Sequence, residues 1–137
     1  MGQNSSVEYR KARTLPGIGH VGSYQVSGKP FVTGSTALAN GAQAQIKFPQ
    51  VARSVTVIND AATDIRISFT DKDQGNTHTG KHYINLTEAR DSMTMNIKCK
   101  EIFIYANGGV AQFTVFAELT HIPTGSMYDL TGSGITE

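Results

Sequence analysis

Apolar and polar residues alternate through the centre of the chain, which is the two-residue period of a strand with one buried face. In SVTVIN, Val55 and Val57 share a face, and in IRISFT the shared face holds Ile65, Ile67 and Phe69. The same alternation continues in QAQIKF, HYINL, SMTMNIK and FTVFAEL. No window of the sequence keeps the apolar stripe of an amphipathic helix. We therefore predict an all-β protein.

Segments with turn chemistry separate these strands. Residues 59–64 form a polar connector, and Asn107-Gly108-Gly109 predicts a tight hairpin because Asn and Gly tolerate positive φ. The segment IFIY, residues 102–105, is apolar on both faces, which predicts a central strand covered on both sides. Strands recur about every 8 to 12 residues, the spacing of an antiparallel sandwich or barrel. We predict a single antiparallel β-sandwich, jelly-roll-like, with about seven or eight strands.

The two ends of the chain lack this alternation. Residues 1–42 are rich in glycine and contain Pro16 and Pro30, and residues 121–137 are rich in glycine and serine. Such segments bury too little apolar surface to offset the entropy lost on ordering. We predict an extended N-terminal arm with short strands over 1–42, a β-sandwich core over 43–120 and a C-terminal arm over 121–137. Both arms are expected to become ordered against a neighbouring subunit.

Composition narrows the class of partner. The 137 residues fit one domain, and the net charge of +1 gives no electrostatic reason to bind nucleic acid or a membrane. No apolar run approaches the length of about 18 residues that a bilayer requires. Charged residues make up 17% of the chain, against roughly 25% in a typical soluble domain. A surface so poor in charge favours contact with other proteins.

The segment GIGHVG, residues 17–22, has the glycine spacing of a dinucleotide-binding turn. That turn requires a buried strand before it, a helix after it and an acidic residue about 20 positions later. Here RTLP precedes the glycines, Pro30 follows shortly after, and no acidic residue occurs between Glu8 and Asp60. The glycines are expected to let an extended arm bend closely over another backbone, and no cofactor is expected.

Two segments have partial metal-site spacing. Residues 71–76 begin like a calcium loop, but there the third ligand precedes the glycine, whereas here Gly75 precedes Asn76. Position twelve is His82 rather than a glutamate. His78 and His82 are four residues apart, which on a straight strand separates them by about 13 Å. We therefore expect a solvated loop and structural histidines rather than a metal site.

The sequence offers no arrangement of residues for catalysis. Its acidic residues fall in turns or at polar positions of strands, and the Gly-x-Ser-x-Gly nucleophile motif is absent. The single cysteine, Cys99, lies in the apolar segment NIKCKEIFI, where a buried and unreactive thiol is expected. No catalytic residue is proposed, and we do not expect an enzyme.

Five segments resemble small all-β structural proteins of tailed bacteriophages, particularly those of marine bacteria and of the cyanophage type. These segments are FPQVARSVTVIND, IRISFTD, GKHYINL, DSMTMNIKCKEIFIY and FTVFAELT. The N-terminal LPGIGHVGSYQVSGKPFVTGS is similar to the extended leader of such proteins. The resemblance covers residues 10–122, and its most specific part is DSMTMNIKCKEI with GKHYI shortly before it. It implies no catalytic residues.

The resemblance implies a structural protein of the virion, assembled in the host cytoplasm, and above all a head decoration (cement) protein. The expected partners are the major capsid protein or other virion subunits, with further copies of the chain as oligomer or lattice neighbours. Partner-binding residues are expected in the leader and the tail, namely Arg10, Lys11, Arg13, Leu15, Pro16, His20, Tyr24, Phe31, Tyr128 and Leu130. Two alternatives stay open. One is a neck, tail or fibre-base component, and the other is a host-glycan binding module with Tyr24, Tyr83, Tyr105 or Tyr128 lining a groove.

Overall fold

A computed structural model describes residues 28–74 and 77–130 of the protein. Its strands are β1 (Lys29–Leu38), β2 (Gln43–Asn59), β3 (Asp64–Ser68), β4 (Ile84–Leu86), β5 (Ser92–Met95), β6 (Cys99–Asn107) and β7 (Ala111–Pro123), followed by a 3-10 turn at Thr124–Ser126. All pairings are antiparallel, in the order β1-β7-β2-β6-β3-β4, with β5 also paired to β2. The prediction of an all-β antiparallel fold is confirmed. The described ranges contain no helix that is long and apolar enough to cross a membrane.

Strand β2 belongs to both halves of the structure. Its N-terminal part pairs with β6, where Gln43 opposes Tyr105, and its C-terminal part pairs with β7, where Asn59 opposes Phe113. The register shifts in the middle of β2, around Pro49, which has no backbone N–H to donate to a ladder. We call the sheet of β1, β7, β5 and the C-terminal part of β2 the β1 half. The sheet of β6, β3, β4 and the N-terminal part of β2 is the β4 half.

The register shows that the sheet is folded back on itself at this bend. A straight strand with the 17 residues of β2 would be more than 50 Å long, at about 3.3 Å per residue. Yet residues 108–110 alone join β6, beside the start of β2, to β7, beside the end of β2. Such a connection spans at most about 14 Å. The two ends of β2 therefore lie at the same end of the molecule, and the two halves pack face to face as a sandwich.

The predicted hairpin at 107–109 is wrong for the same reason. Strands β6 and β7 are not neighbours, because β2 lies between them in the sheet order. The local turn chemistry was read correctly, since Gly108 has a φ of +98°. The turn crosses from one half of the sandwich to the other. Within it, the Gly108 N–H donates a hydrogen bond to Asn40 Oδ1 at 3.0 Å.

One hydrophobic core fills the space between the halves, and all seven strands contribute to it. Ile102 and Ile104 are fully buried in this core, while Phe103, which alternates with them, is 6% exposed and faces the other side of β6. Strand β6 is thus covered on both sides, as its sequence predicted. A second, smaller cluster consists of Val51, Ile122 and Met127, close to the bend in β2.

The described parts of the two predicted arms pack against the body. Strand β1 lies within residues 1–42 and is paired with β7 from Lys29 onwards. Gly34 allows this close pairing, because a Cβ there would overlap the carbonyl oxygen of Phe113. At the other end, β7 extends to Pro123 and Met127 is buried. Residues 1–27 and 131–137 lie outside the described ranges.

Candidate interaction surface

The outer face of the β4 half is covered by residues 69–74 and 77–83, which we call the covering segment. Gln43 of β2 fixes this segment, because its Oε1 accepts a hydrogen bond from the Lys72 N–H at 2.8 Å. Its Nε2 donates to Asp71 Oδ2 at 3.2 Å. Within the segment, the hydroxyls of Thr70 and Thr77 are hydrogen-bonded at 2.7 Å, and both residues are buried. The protein therefore closes this face with its own chain.

A cation–aromatic cluster joins the covering segment to the sheet. The Arg66 guanidinium stands 4.5 Å from the centroid of the Tyr83 ring and 5.7 Å from that of Tyr105, which is within cation–π range. The His78 ring packs edge-on against Tyr105 at 4.6 Å between centroids. Arg66 Nη1 also lies 3.2 Å from His78 Nδ1. An arginine can only donate, so Nδ1 accepts and the imidazole is neutral.

This arrangement opposes protonation of His78. Burial, and then the nearby charge of Arg66, lowers the pKa of His78 below its usual 6.5. A second proton would have to enter at Nδ1, where Arg66 already donates. His78 Nε2 is also buried, with no hydrogen-bond partner among the residues that the structure describes. The histidine thus acts as a structural contact between the covering segment and the sheet.

Of the tyrosines of the glycan-binding alternative, Tyr83 and Tyr105 lie together against Arg66 and His78 in the described part of the chain. Tyr83 and Tyr105 are both half-buried against Arg66 and His78, so these contacts occupy part of their ring surfaces. Tyr128 is 47% exposed and lines a small cavity with Lys100 and other residues. Tyr24 lies outside the described residues.

The outer face of the β1 half carries exposed apolar side chains, and we call it the open face. One row crosses its four strands, with Val32, Phe116, Thr56 and Thr94 in register. Val32 is 65% exposed and Phe116 is 37% exposed. The next row contains Ile58, which is half-buried and does not belong to either core cluster. No charged side chain lies in the central row.

Polar contacts border the open face at both ends. At one end, the Thr114 hydroxyl donates to Asp60 Oδ2 at 2.7 Å. At the other end, the Ser54 hydroxyl donates to Glu118 Oε1 at 2.7 Å, and Arg53 lies 3.4 Å from the same oxygen. The Ser54 hydrogen bond and the Arg53 charge hold the pKa of Glu118 below its usual value. An apolar centre with a polar rim is the usual anatomy of a protein-binding surface.

Among the described strands, β1 stands at the end of the sheet order, so this face has an edge with which no described strand pairs. Such an edge presents backbone N–H and C=O groups without ladder partners. Lys29 is the only charged residue of β1, so the strand has no charge between Pro30 and Leu38. Natural proteins usually protect exposed edges with charges, prolines or bulges. Here such features are confined to the two ends of the strand.

Three of the ten predicted partner-binding residues lie in the described ranges, and the structure does not bring them together on one surface. Phe31 faces the core, where its ring packs edge-on against Phe48 at 5.4 Å between centroids. Tyr128 is exposed, and Leu130 is half-buried beside the same small cavity. The other seven lie outside the described residues, as does the GIGHVG segment; the seven are Arg10, Lys11, Arg13, Leu15, Pro16, His20 and Tyr24.

The sequence prediction missed Val32 and Phe116. A signal for both was present, because each is an apolar residue at a position that the strand alternation assigns to the outer face. In FTVFAEL, Phe113 and Val115 alternate inward, so Phe116 had to point outward. Val32 likewise follows the inward Phe31.

Other chemical groups are engaged in structural contacts. Asp71 Oδ1 accepts from the Asp73 N–H at 2.9 Å, and Asp73 pairs with Lys72 at 2.9 Å. No cluster of three potential metal ligands occurs in the described ranges. Cys99 is buried as predicted, and burial raises its pKa to about 12, so the reactive thiolate is scarce.

A groove of about 380 Å³ lies beside Lys47, Lys100 and Glu101. Two of its charged side chains already have partners within the chain. Lys100 Nζ pairs with Asp129, and Glu101 Oε1 accepts from Gln45 Nε2 at 2.6 Å. The groove therefore offers weaker evidence for a ligand than the open face offers for a protein partner.

No family model matches this chain, and no curated protein matches it. The functional interpretation therefore depends on the difference between the two outer faces and on the sequence resemblance.

Proposed function

We propose that the protein is a structural protein of a tailed-bacteriophage virion, and most specifically a capsid decoration (cement) protein. In this role it binds the outer surface of the major capsid lattice and connects neighbouring subunits. The observation that carries the proposal is the open face, an apolar surface beside a strand edge with which no described strand pairs. The opposite face of the molecule is covered by its own chain. The resemblance to phage structural proteins supports the choice of partner.

Binding on this proposal depends on area rather than on a chemical group. Burying Val32, Phe116 and Ile58 against an apolar capsid surface is favourable, at roughly 25 cal/mol per Å² of apolar area. The low content of charged residues reduces the cost of removing water from the surface around them. A single copy with such a small apolar centre binds weakly. Many copies on one lattice, connected to each other, hold the shell together through multivalency.

The N-terminal leader fits the same direction of binding. Gly28, the first described residue, precedes β1, the edge strand of the open face, so the described chain begins at the border of this surface. The predicted partner-binding residues of the leader, among them Arg10, Leu15 and Tyr24, precede this point in the sequence. On our proposal, the leader extends the contact onto the neighbouring subunit.

The copy number in purified virions tests the proposal. A decoration protein should be present in on the order of hundreds of copies, because a capsid repeats the same lattice site by symmetry. Quantitative mass spectrometry of particles measures this number, and electron microscopy of labelled particles locates the protein. Label over the whole shell is the expected result.

A substitution in the open face refines the test. Phe116→Lys should lower incorporation strongly because it places an ammonium group in the apolar centre. Val110→Lys is the matched control, since Val110 is 56% exposed but lies on the connection between β6 and β7. Absence of the protein from virions would overturn the proposal. About a dozen copies at a single vertex would favour a neck or tail component, the alternative that uses the same surface in a ring.

A further inference from the structure

The edge of β1 with which no described strand pairs has a regular part with a defined centre. Its pairing with β7 runs without a shift from Lys29 to Ser35, and the register then shifts before Leu38. Val32 is the midpoint of this regular part. It is also the most exposed of the large hydrophobic residues in the described ranges, at 65%. At the opposite edge of the sheet, β4 offers only three residues for pairing.

We propose that β1 pairs with β1 of a second copy of this chain, antiparallel and about a two-fold axis at Val32. A two-fold axis perpendicular to a sheet keeps each residue on its own face, so a residue must oppose one of the same parity. Centred on Val32, the pairing places Val32 opposite Val32 of the second copy. Lys29 then opposes Ser35, and Pro30 opposes Gly34.

The side chains in this register are compatible. The only cation of the strand, Lys29, meets a serine rather than a like charge, and like charges are what most often oppose pairing of identical edges. The ring of Pro30 meets a glycine, which leaves room for it. The two valines form a β-branched cross-strand pair, a favourable combination in sheets.

This register also uses the whole regular part of the edge. A two-fold centre at Gly34 would bring the shifted residues after Ser35 into the ladder. A centre at Pro30 would set residues 33–35 opposite residues 25–27 of the second copy, which lie outside the described ranges. With the centre at Val32, the row Phe116–Val32 continues directly into the equivalent row of the second copy. The open face of the dimer becomes one continuous surface.

The mass of the purified full-length chain in solution tests the pairing. Size-exclusion chromatography with light scattering should give the mass of two chains at high concentration and a fall towards one chain on dilution. Val32→Lys places two ammonium groups opposite each other and should give one chain over the same range. Val110→Lys, the matched control, should behave like the wild type. Circular dichroism of each variant confirms that the fold is retained.

A cross-linking measurement tests the register itself. Directly opposed residues of paired strands have Cβ atoms about 4.5–5.5 Å apart, which small adjustments bring into disulfide range. Because Cys99 is buried, Val32→Cys introduces the single accessible thiol of the described residues. Under mild oxidation it should form a disulfide-linked dimer at least about tenfold faster than Val110→Cys.

Either of two results would overturn the inference. One is a wild-type chain that stays monomeric at the highest concentration tested. The other is equal cross-linking rates for Val32→Cys and Val110→Cys, which would leave the edge to a capsid strand or to residues 1–27. The outcome is separate from the virion proposal, because the dimer is measured in solution and incorporation is measured in particles.

Discussion

Asn59 is a buried polar residue on which three segments of the fold depend. It ends β2 and is completely inaccessible to solvent. Its Nδ2 donates to the carbonyl oxygens of Thr63 at 2.9 Å and Leu86 at 3.1 Å, and its Oδ1 accepts from the Ala61 N–H at 3.1 Å. One side chain thus joins the end of β2, the turn into β3 and the end of β4.

Replacing Asn59 with alanine should lower the free energy of unfolding by about 3 kcal/mol. The Leu86 carbonyl loses its partner in a buried site, at a cost of about 2 kcal/mol, because an unsatisfied buried group costs about 1–3 kcal/mol. The two partly buried contacts lose about 0.5 kcal/mol each. For a chain of this size, the melting temperature should fall by about 10 °C.

Urea unfolding of the full chain measures this change, with Asn85→Ala as the control. Asn85 is an exposed asparagine in β4, so its loss should change stability by less than about 0.5 kcal/mol. This role of Asn59 is refuted if the free energy of unfolding of Asn59→Ala lies within about 1 kcal/mol of the wild-type value. That threshold is about the low end of the cost of one unsatisfied buried group.

Asn59→Asp separates the hydrogen bonds from the shape of the side chain. The carboxylate would face the two carbonyl oxygens that Nδ2 now contacts, so its pKa in the folded protein should be raised. The folded state then binds the proton more tightly than the unfolded state. The variant should therefore be closest to wild-type stability at acidic pH and lose stability as pH rises through the raised pKa. If the difference in stability between Asn59→Asp and the wild type does not change with pH, the contact of this side chain with the two carbonyl oxygens is contradicted.

Two further predictions concern β1 and the covering segment. Gly34→Ala should lower the free energy of unfolding in urea by about 1–3 kcal/mol, because the added Cβ would overlap the Phe113 carbonyl oxygen. Gly125→Ala is the control and should be nearly neutral, since there is open space around Gly125. The pKa of His78 is lowered in the folded state, so the unfolded state binds more protons, and stability should fall as pH decreases below about 6.5. His78→Gln should reduce this loss between about pH 7.5 and pH 5, and an unchanged pH dependence would remove His78 as its source.

The local structure could be read from the sequence because it depends on short-range patterns. The alternation at Val55, Ile65 and Phe113 set the strands and their buried faces, and all of these residues are in the core or the sheet as expected. The bend in β2 could not be read in this way. QAQIKF and SVTVIN looked like separate strands around Pro49, and only their long-range partners make them one strand shared by both halves.

The candidate surface was predictable in part. The sequence indicated contact with other proteins through its low charge, but the predicted contact residues came from the ends of the chain. Of these, Phe31 packs into the core, because the alternation that turns Phe31 inward turns Val32 outward. Which outward apolar residues stay exposed depends on what covers each face. On the β4 half this is decided by the covering segment, a mostly polar stretch whose docking on Gln43 has no local sequence signal.

The covering segment gives the molecule a direction. In the described ranges, Val32, Phe116 and Ile58 point to one side of the sandwich, and the other side is covered by a mostly polar segment. On the proposed function, a molecule that binds through the open face alone would spread over a substrate as a layer one copy thick. Growth would then stop at a monolayer without any additional regulator, which is the geometry that the proposed coat on a closed particle requires.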